Sequence, residues 1–235
     1  MIPAEPDVPM RILAVDTTTP SGSAALLEGR RLLAEASSES PATHSARLLA
    51  MIDHLLKAAG LAVGDIEGYA VAAGPGSFTG IRIGLSTVKS LSFASGRPVA
   101  PVSTLSALAL KLAAGGPRLI CPVLDAKKGE IYSALFESID GHPVERVAQG
   151  AYDPAAFFAA LPREGEIQFI GAGVSVHREA LLAGVGTRAI FPARTHFIAH
   201  EVGILGAAIF GGGGGVPSGG LEPFYFRKSQ AEENH

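Results

Sequence analysis

The feature that most constrains this chain is a glycine-rich run at residues 74–84, which reads Gly-Pro-Gly-Ser-Phe-Thr-Gly-Ile-Arg-Ile-Gly. The apolar residues 69–73 before it predict a buried strand, and residues 85–94 after it predict a helix. Ser77 or Thr79 is suited to cap that helix. The order strand, glycine turn, helix is the arrangement that presents backbone N–H groups to an anion.

Two interpretations of this glycine turn are open. In the first, the turn binds phosphate, with Gly74 and Gly76 taking backbone angles that side chains forbid and Ser77 beside them. The spacing matches neither the dinucleotide fingerprint nor the P-loop. In the second, the run is simply a tight turn without a bound phosphate, and Gly80 and Gly84 lie one helical turn apart so that another helix can pack closely.

Composition excludes several classes of protein. The chain has 235 residues, 47% of them hydrophobic and 17% charged, which predicts a folded protein of one large or two small domains. A net charge of −3 without a basic stripe argues against this chain binding the nucleic acid backbone by itself. Cys121 is the only cysteine, so no internal disulfide can form. Residues 1–10 predict a loose leader unlike a signal peptide, and we expect a cytoplasmic location.

The order of predicted elements repeats along the chain. Strands are predicted at 11–16, 23–27, 31–37, 69–73, 98–102, 118–125, 131–137, 143–151, 167–170 and 188–191, and helices at 43–59, 85–94, 104–114, 154–161, 176–183 and 196–210. The order βββαβαβα therefore runs over 11–114 and again over 118–210, and we predict a first lobe at 11–105, a second lobe at 106–210, and a glycine-rich linker and tail at 211–235.

This duplication suggests an α/β fold of two similar lobes. Each half opens with a hairpin whose first strand ends in an aspartate, Asp16 or Asp125. The architecture is that of actin, sugar kinases and heat-shock chaperone ATPases, the ASKHA or ribonuclease H-like fold. Proteins of that architecture hold a nucleotide in the cleft between their lobes.

A nucleotide site would draw on the first hairpin. Asp16 is followed by Thr17, Thr18 and Thr19; a carboxylate holds Mg²⁺ through water, and hydroxyl groups donate to phosphate oxygens. Alternatively, these side chains satisfy the backbone of their own turn. With Gly74, Gly76 and Ser77 named above, Asp16, Thr17 and Thr18 are the candidate nucleotide-binding residues.

Two further groups of polar residues lie in the second half. Asp125 with Lys127 and Lys128 is either a counterpart of the first hairpin or an exposed charged turn. His196 and His200 are four residues apart on a predicted helix, which is the spacing of two ligands on one metal. Because no third ligand is identifiable, polar surface histidines are the alternative.

The ordered set of motifs in this chain resembles the bacterial TsaB (YeaZ) family over residues 11–227. The motifs that carry the resemblance lie at 12–17, 44–45, 74–84, 101–105, 125–132 and 223–227. The resemblance implies the ASKHA fold and a non-catalytic paralogue of the catalytic subunit TsaD. It also implies a heterodimer with TsaD that works with TsaE to transfer a threonylcarbamoyl group to N6 of adenosine 37 in tRNAs reading codons that begin with A.

The resemblance further implies that ATP is used by the complex and that this chain needs no cofactor or metal of its own. Free members of the family often form homodimers through the surface that pairs with TsaD. That surface would lie on helices 43–59 and 80–94, and a Gly84→Arg substitution would then break pairing but keep the fold. The implied interface residues are His44, Leu48, Ile52, Leu55, Gly80, Ile81, Gly84 and Val88.

One departure from the catalytic paralogue bears on activity. TsaD carries a His-x-x-x-His metal pair at the start of the helix after the last strand of its first lobe. Here Thr104 and Leu108 stand at those positions, and neither replaces an imidazole as a ligand. We therefore expect a scaffold subunit. The alternative function is a Mg-ATP-dependent small kinase or ATPase of the same fold, built on Asp16 and the glycine turn.

Overall fold

The computed structural model describes residues 9–19, 22–38, 45–114, 116 and 119–226. The chain forms two compact units. The first contains the described residues up to Ala107 together with Phe197–Pro223, and the second contains Leu108–His196 and the described residues from Phe224 onward. Most of the predicted leader at 1–10 lies outside the described residues.

The bounds of the elements follow in chain order. Within the described residues the strands are β1 Arg11–Asp16, β2 Gly22–Glu28, β3 Arg31–Ser38, β4 Gly68–Gly74, β5 Val99–Ser103, β6 Leu119–Lys127, β7 Glu130–Ile139, β8 His142–Tyr152, β9 Ile167–Ile170 and β10 Ala189–Ile190. The helices there are α1 Ser45–Ala58, α2 Phe78–Ser95, α3 Thr104–Ala113, α4 Pro154–Ala160, α5 Gly173–Val176, α6 Arg178–Val185 and α7 Ala199–Gly211.

The two units share one sheet topology. The first sheet has the strand order β3-β2-β1-β4-β5, and the second has β8-β7-β6-β9-β10. In each sheet the first three strands of the unit form an antiparallel meander. The fourth strand pairs in parallel with the first, and the fifth pairs in parallel with the fourth. The predicted α/β fold of two similar lobes is confirmed, although the halves do not share residue identity.

The central strands of the first sheet are buried on both faces, which explains their nearly continuous apolar sequence. One face carries Leu13 and Val15, and α1 and α2 cover it. The apolar positions Leu48, Ile52 and Leu55 of α1 recur at helical spacing and pack into this core.

Helix α7 covers the opposite face of the first sheet. It packs on β1, β2, β4 and β5. A Cβ on Gly206 would lie 2.5 Å from Ala70 Cβ, so the helix can approach this closely only because the residue is glycine. The prediction that residues 196–210 belong to the second half is therefore wrong. Periodicity shows that a helix is amphipathic or apolar, but it does not show which sheet the helix covers.

The second unit has its own core. It is built from one face of the second sheet and from α4 and α6, with Phe157, Phe158, Phe169 and Leu181 at its centre. Asp153 caps α4, since its Oδ1 accepts a hydrogen bond from Ala156 N at 2.8 Å. The predicted helix at 176–183 is two helices, α5 and α6, that meet at His177. Among the described helices, none has both the length and the apolar character of a membrane span.

We predict that Gly206→Val lowers the stability of the first unit by about 2 kcal/mol, because added methyl groups must push α7 away from the sheet. Urea unfolding followed by circular dichroism measures the effect. Gly219→Val is the matched control, because a Cβ at Gly219 meets no atom within 4 Å. Equal stability of the two variants would contradict the packing of α7 described here.

Candidate functional site

The polar residues at the end of β1 are buried and bonded to one another. Asp16 is fully buried, and its Oδ1 accepts hydrogen bonds from Thr18 N at 2.8 Å and from Thr18 Oγ1 at 2.7 Å. The Thr104 hydroxyl at the start of α3 lies 3.1 Å from Thr18 Oγ1 and donates to it. The hydroxyl groups that would contact a phosphate are therefore engaged within the turn.

The first turn of α2 closes over the same residues. Ser77 N donates to the Thr18 carbonyl oxygen at 2.7 Å, and Thr17 Oγ1 donates to the Gly80 carbonyl oxygen at 2.7 Å. Ser77 Oγ accepts from Gly80 N at 3.2 Å, so Ser77 is the N-cap, as predicted. The helix begins at Phe78, earlier than the predicted residue 85, so Gly80 and Gly84 lie inside its first two turns.

The glycines of the run make room for this contact. Gly76 has a φ of +156°, and a Cβ there would overlap the Thr18 carbonyl oxygen. A Cβ on Gly80 would overlap the Thr17 carbonyl oxygen, and one on Gly84 would lie 2.5 Å from Thr17 Oγ1. Gly80 and Gly84 therefore face the chain's own first hairpin, and neither is available to a partner helix.

The chemistry that this arrangement supports is limited. The structure brings the candidate nucleotide-binding residues together, but the carboxylate has no access to solvent, and Oδ2 of Asp16 has no hydrogen-bond partner among the described residues. Burial raises the pKa of Asp16 to about 6, against which the two hydrogen bonds from Thr18 act. A Mg²⁺–phosphate group can reach this carboxylate only if the residues that bury it move apart. The candidate nucleotide-binding residues that lie in this arrangement are Asp16, Thr17, Thr18, Gly74, Gly76 and Ser77.

The second unit carries a related but more exposed group. Oδ1 of Asp125 accepts from Lys127 N at 3.0 Å and lies 3.3 Å from His177 Nε2, while Oδ2 pairs with Lys127 Nζ at 2.7 Å. Partial burial raises the pKa of Asp125, but the hydrogen bonds from Lys127 and His177 outweigh burial and hold the pKa below its ordinary value. Lys127 and Lys128 are exposed at a turn, in agreement with the second interpretation of this segment.

His177 was missed by the sequence interpretation because 52 residues separate it from Asp125. The one local signal is the pair of glycines before it. A Cβ on Gly171 would overlap the Val123 carbonyl oxygen, and one on Gly173 would lie 2.8 Å from Asp125 N. The second unit therefore repeats the device of the first, in which glycines after a parallel strand pack against the backbone at the end of the first strand.

The predicted histidine pair does not lie on one helix. His196 lies in the loop before α7 and His200 in its first turn, so the predicted helical start at residue 196 is wrong and the two histidines do not share a helical face. Burial lowers the pKa of His196, and the Lys111 charge adds to that effect. Over the part of the chain that the structure describes, no three His, Cys, Asp or Glu side chains come together to hold a metal. Thr104 and Leu108, which the sequence comparison placed at the positions of a metal-binding histidine pair, are both fully buried.

The residues predicted for the subunit interface require correction. Leu48, Ile52, Leu55, Ile81 and Val88 are buried in the core of the first unit, because the apolar stripes of α1 and α2 face their own sheet. Gly80 and Gly84 contact the first hairpin, as described above. Gly84→Arg would therefore disrupt the fold rather than test pairing. His44 lies outside the described residues.

The outward face of α1 and α2 is apolar in part. Leu49 is 48% exposed, Phe78 43% and Phe93 83%. The guanidinium of Arg82 lies 4.0 Å from the centre of the Phe78 ring. Ser86 is a small exposed residue between the two phenylalanines of α2. Exposed apolar side chains that form a contiguous patch mark a surface that another protein covers, and these three lie on two helices that contact each other.

We predict that Gly80→Ala destabilises the protein by about 2 kcal/mol, because its Cβ would overlap the Thr17 carbonyl oxygen. This is the reverse of the usual effect of alanine at a helical glycine, which is a gain of about 1 kcal/mol. Gly64→Ala is the control, because a Cβ there meets open space. A Gly80→Ala protein as resistant to urea as the wild type would contradict the contact.

Asp16→Asn tests the buried carboxyl group. Because folding raises the pKa of Asp16 from 3.8 to about 6, the folded protein holds the proton more tightly than the unfolded chain does. The stability that this provides is complete below the unfolded pKa and is lost as pH rises through about 6. From pH ~4 to pH ~7 the unfolding free energy of the wild type should therefore fall by about 2 kcal/mol relative to Asp16→Asn. A difference that stays constant with pH would contradict the shift.

Comparison with known proteins identifies the family. The family model for TsaD, described as tRNA N6-adenosine threonylcarbamoyltransferase, matches residues 36–218. The tRNA threonylcarbamoyladenosine biosynthesis protein TsaB of Bacillus subtilis (strain 168) is 32% identical over 184 residues, which cover 76% of this chain and 78% of that protein. TsaB of Escherichia coli (strain K12) is 36% identical over 129 residues, covering 54% of this chain and 55% of that protein.

A solved structure agrees with these matches. YeaZ from Pseudomonas aeruginosa superposes with a TM-score of 0.79 at 29% identity, covering 92% of this chain and 99% of that chain. The family model extends over the glycine run and the segments on both sides of it. The chain therefore belongs to the TsaD-like family and, within it, to the TsaB (YeaZ) proteins.

Proposed function

We propose that this chain is a non-catalytic subunit of the complex that forms N6-threonylcarbamoyladenosine at position 37 of tRNAs reading codons that begin with A. It acts by forming a heterodimer with a TsaD-like catalytic subunit and by supporting a TsaE-like ATPase. It contacts tRNA only through the complex, and ATP is used by the complex rather than by this chain. The free chain forms a homodimer in the cytoplasm.

The observation that carries this proposal is the closed turn at the end of β1. Asp16 and Thr18 are hydrogen-bonded to each other, and the first turn of α2 packs on the same turn, with Ser77 against Thr18 and Gly80 against Thr17. A kinase or ATPase needs an open carboxylate and free donors at this point in the fold. The alternative of a Mg-ATP-dependent enzyme is therefore disfavoured. The loss of imidazoles at Thr104 and Leu108 supports a subunit without its own metal.

The pairing surface is the outward face of α1 and α2. This face carries Leu49, Phe78 and Phe93, which are the exposed large apolar side chains of the two helices. Small residues such as Ser86 between them allow a partner helix to approach closely. The proposal thus keeps the helices implied by the family resemblance but uses the faces opposite to the residues first predicted.

The proposal is tested by leaving out one subunit at a time. The reaction contains this chain, its TsaD-like and TsaE-like partners, ATP, threonylcarbamoyl-adenylate and tRNA, and the modified nucleoside is measured by mass spectrometry. We expect modification to require this chain, and this chain alone to modify nothing. Modification by the purified chain without partners, or full activity in its absence, would refute the proposal.

Ser86→Arg tests the surface within the same assay. We expect the variant to fold, because Ser86 is exposed, and to lose co-elution with the TsaD-like subunit together with at least about tenfold of the activity. Ser175→Arg is the matched control, since both hydroxyls are exposed and each donates to the carbonyl three residues earlier. Normal co-elution of Ser86→Arg with the TsaD-like subunit would show that the interface lies elsewhere.

A further inference from the structure

A groove lies at the C-terminal end of α2 in the first unit. Its volume is 440 Å³, and its walls are the end of α2 with the residues that follow it and the loop around Val216. Two backbone hydrogen bonds of 2.8 Å between Val99 and Val216 hold that loop against the edge of the first sheet. The groove is therefore formed in the free protein and needs no partner to shape it.

The lining of the groove is apolar with one charge. Phe93 forms part of one wall and is 83% exposed, while Pro98 and Pro217 add apolar surface. Arg97 is the charged residue among the lining residues, and within the described part of the chain its guanidinium makes no hydrogen bond or ion pair. An occupant of this groove must offer an apolar side chain and an anionic group close together.

The groove continues the surface proposed for pairing. Along α2 the exposed residues Phe78, Arg82, Ser86, Ser90 and Phe93 recur at intervals of three and four, so they lie on one face of the helix. A partner helix laid along this face would reach the groove at its end. Aromatic residues, including phenylalanine, and arginine are enriched at protein–protein interfaces.

We propose that the groove anchors the end of the pairing helix of the TsaD-like subunit, with one apolar side chain against Phe93 and one carboxylate against Arg97. This inference rests on the proposed function. A second copy of this chain fits the groove less well. The α2 helix of a second copy carries no Asp or Glu that could pair with Arg97. The groove thus favours the heterodimer over the homodimer.

The test compares dissociation constants for the purified TsaD-like subunit by calorimetry. We expect Phe93→Ala and Arg97→Glu each to weaken binding by at least about tenfold, with folding unchanged because both side chains are exposed. Leu32→Ala and Arg163→Glu are matched controls, since they alter an exposed leucine and an exposed arginine outside the groove. Both controls should bind within about twofold of the wild type.

The outcomes separate this inference from the proposed function. If the wild type does not bind the TsaD-like subunit, the proposed function fails. If the wild type binds and both groove variants bind equally well, only the inference fails. Sedimentation of the free variants provides a further test. If Phe93→Ala weakens the homodimer but leaves the heterodimer unaltered, the groove binds a second copy of this chain and the proposal is overturned.

A photoreactive residue in place of Arg97 identifies the occupant directly. Cross-linked to the purified TsaD-like subunit, it should yield one peptide that contains an aspartate or glutamate beside an apolar residue. A cross-linked peptide without a carboxylate, or the absence of any cross-link in a complex that forms normally, would overturn the assignment.

Discussion

The contact between the first turn of α2 and the backbone of Thr17 and Thr18 organises the first unit. A helix N-terminus after a glycine turn ordinarily offers its N–H groups to an anion. Here Ser77 N donates to the Thr18 carbonyl oxygen, and the glycines at 76 and 80 let the two backbones meet. The Ser77 N–H group, which a phosphate site would offer to its ligand, is therefore used to hold the hairpin, and the fold is stabilised at the expense of a ligand site.

The second unit repeats this packing with different polar groups. Gly171 and Gly173 approach the backbone from Val123 to Asp125 as closely as the first glycines approach the threonines. The two aspartates differ in consequence. Asp16 is sealed and its pKa is raised, whereas Asp125 is partly exposed, paired with Lys127, and its pKa is lowered. The duplication thus preserves backbone geometry more strictly than side-chain chemistry, which explains why the repeat was visible only as an order of elements.

The sequence predicted what depends on local patterns. Strand periodicity, the cap at Ser77 and the repeated element order are all set by neighbouring residues, and all agree with the structure. The errors concern long-range placement. The apolar stripe of α1 does not reveal whether it faces a sheet or a partner, and the composition of α7 does not reveal which sheet it covers. Likewise, no spacing could bring His177 to Asp125, which lies 52 residues away.

In this protein the turn at the end of β1, where related folds would bind a ligand, is buried in the core of the first unit. The outward faces of α1 and α2 then remain as the surface proposed to bind partners. Amide hydrogen exchange at Thr18 and Ser77, followed by NMR with and without Mg-ATP, tests this claim most directly. If the turn is closed, both amides exchange only through global unfolding, and millimolar Mg-ATP leaves their rates unchanged. Rapid exchange at either amide, or protection that appears only with Mg-ATP, would show a turn that opens to a nucleotide and would contradict the account.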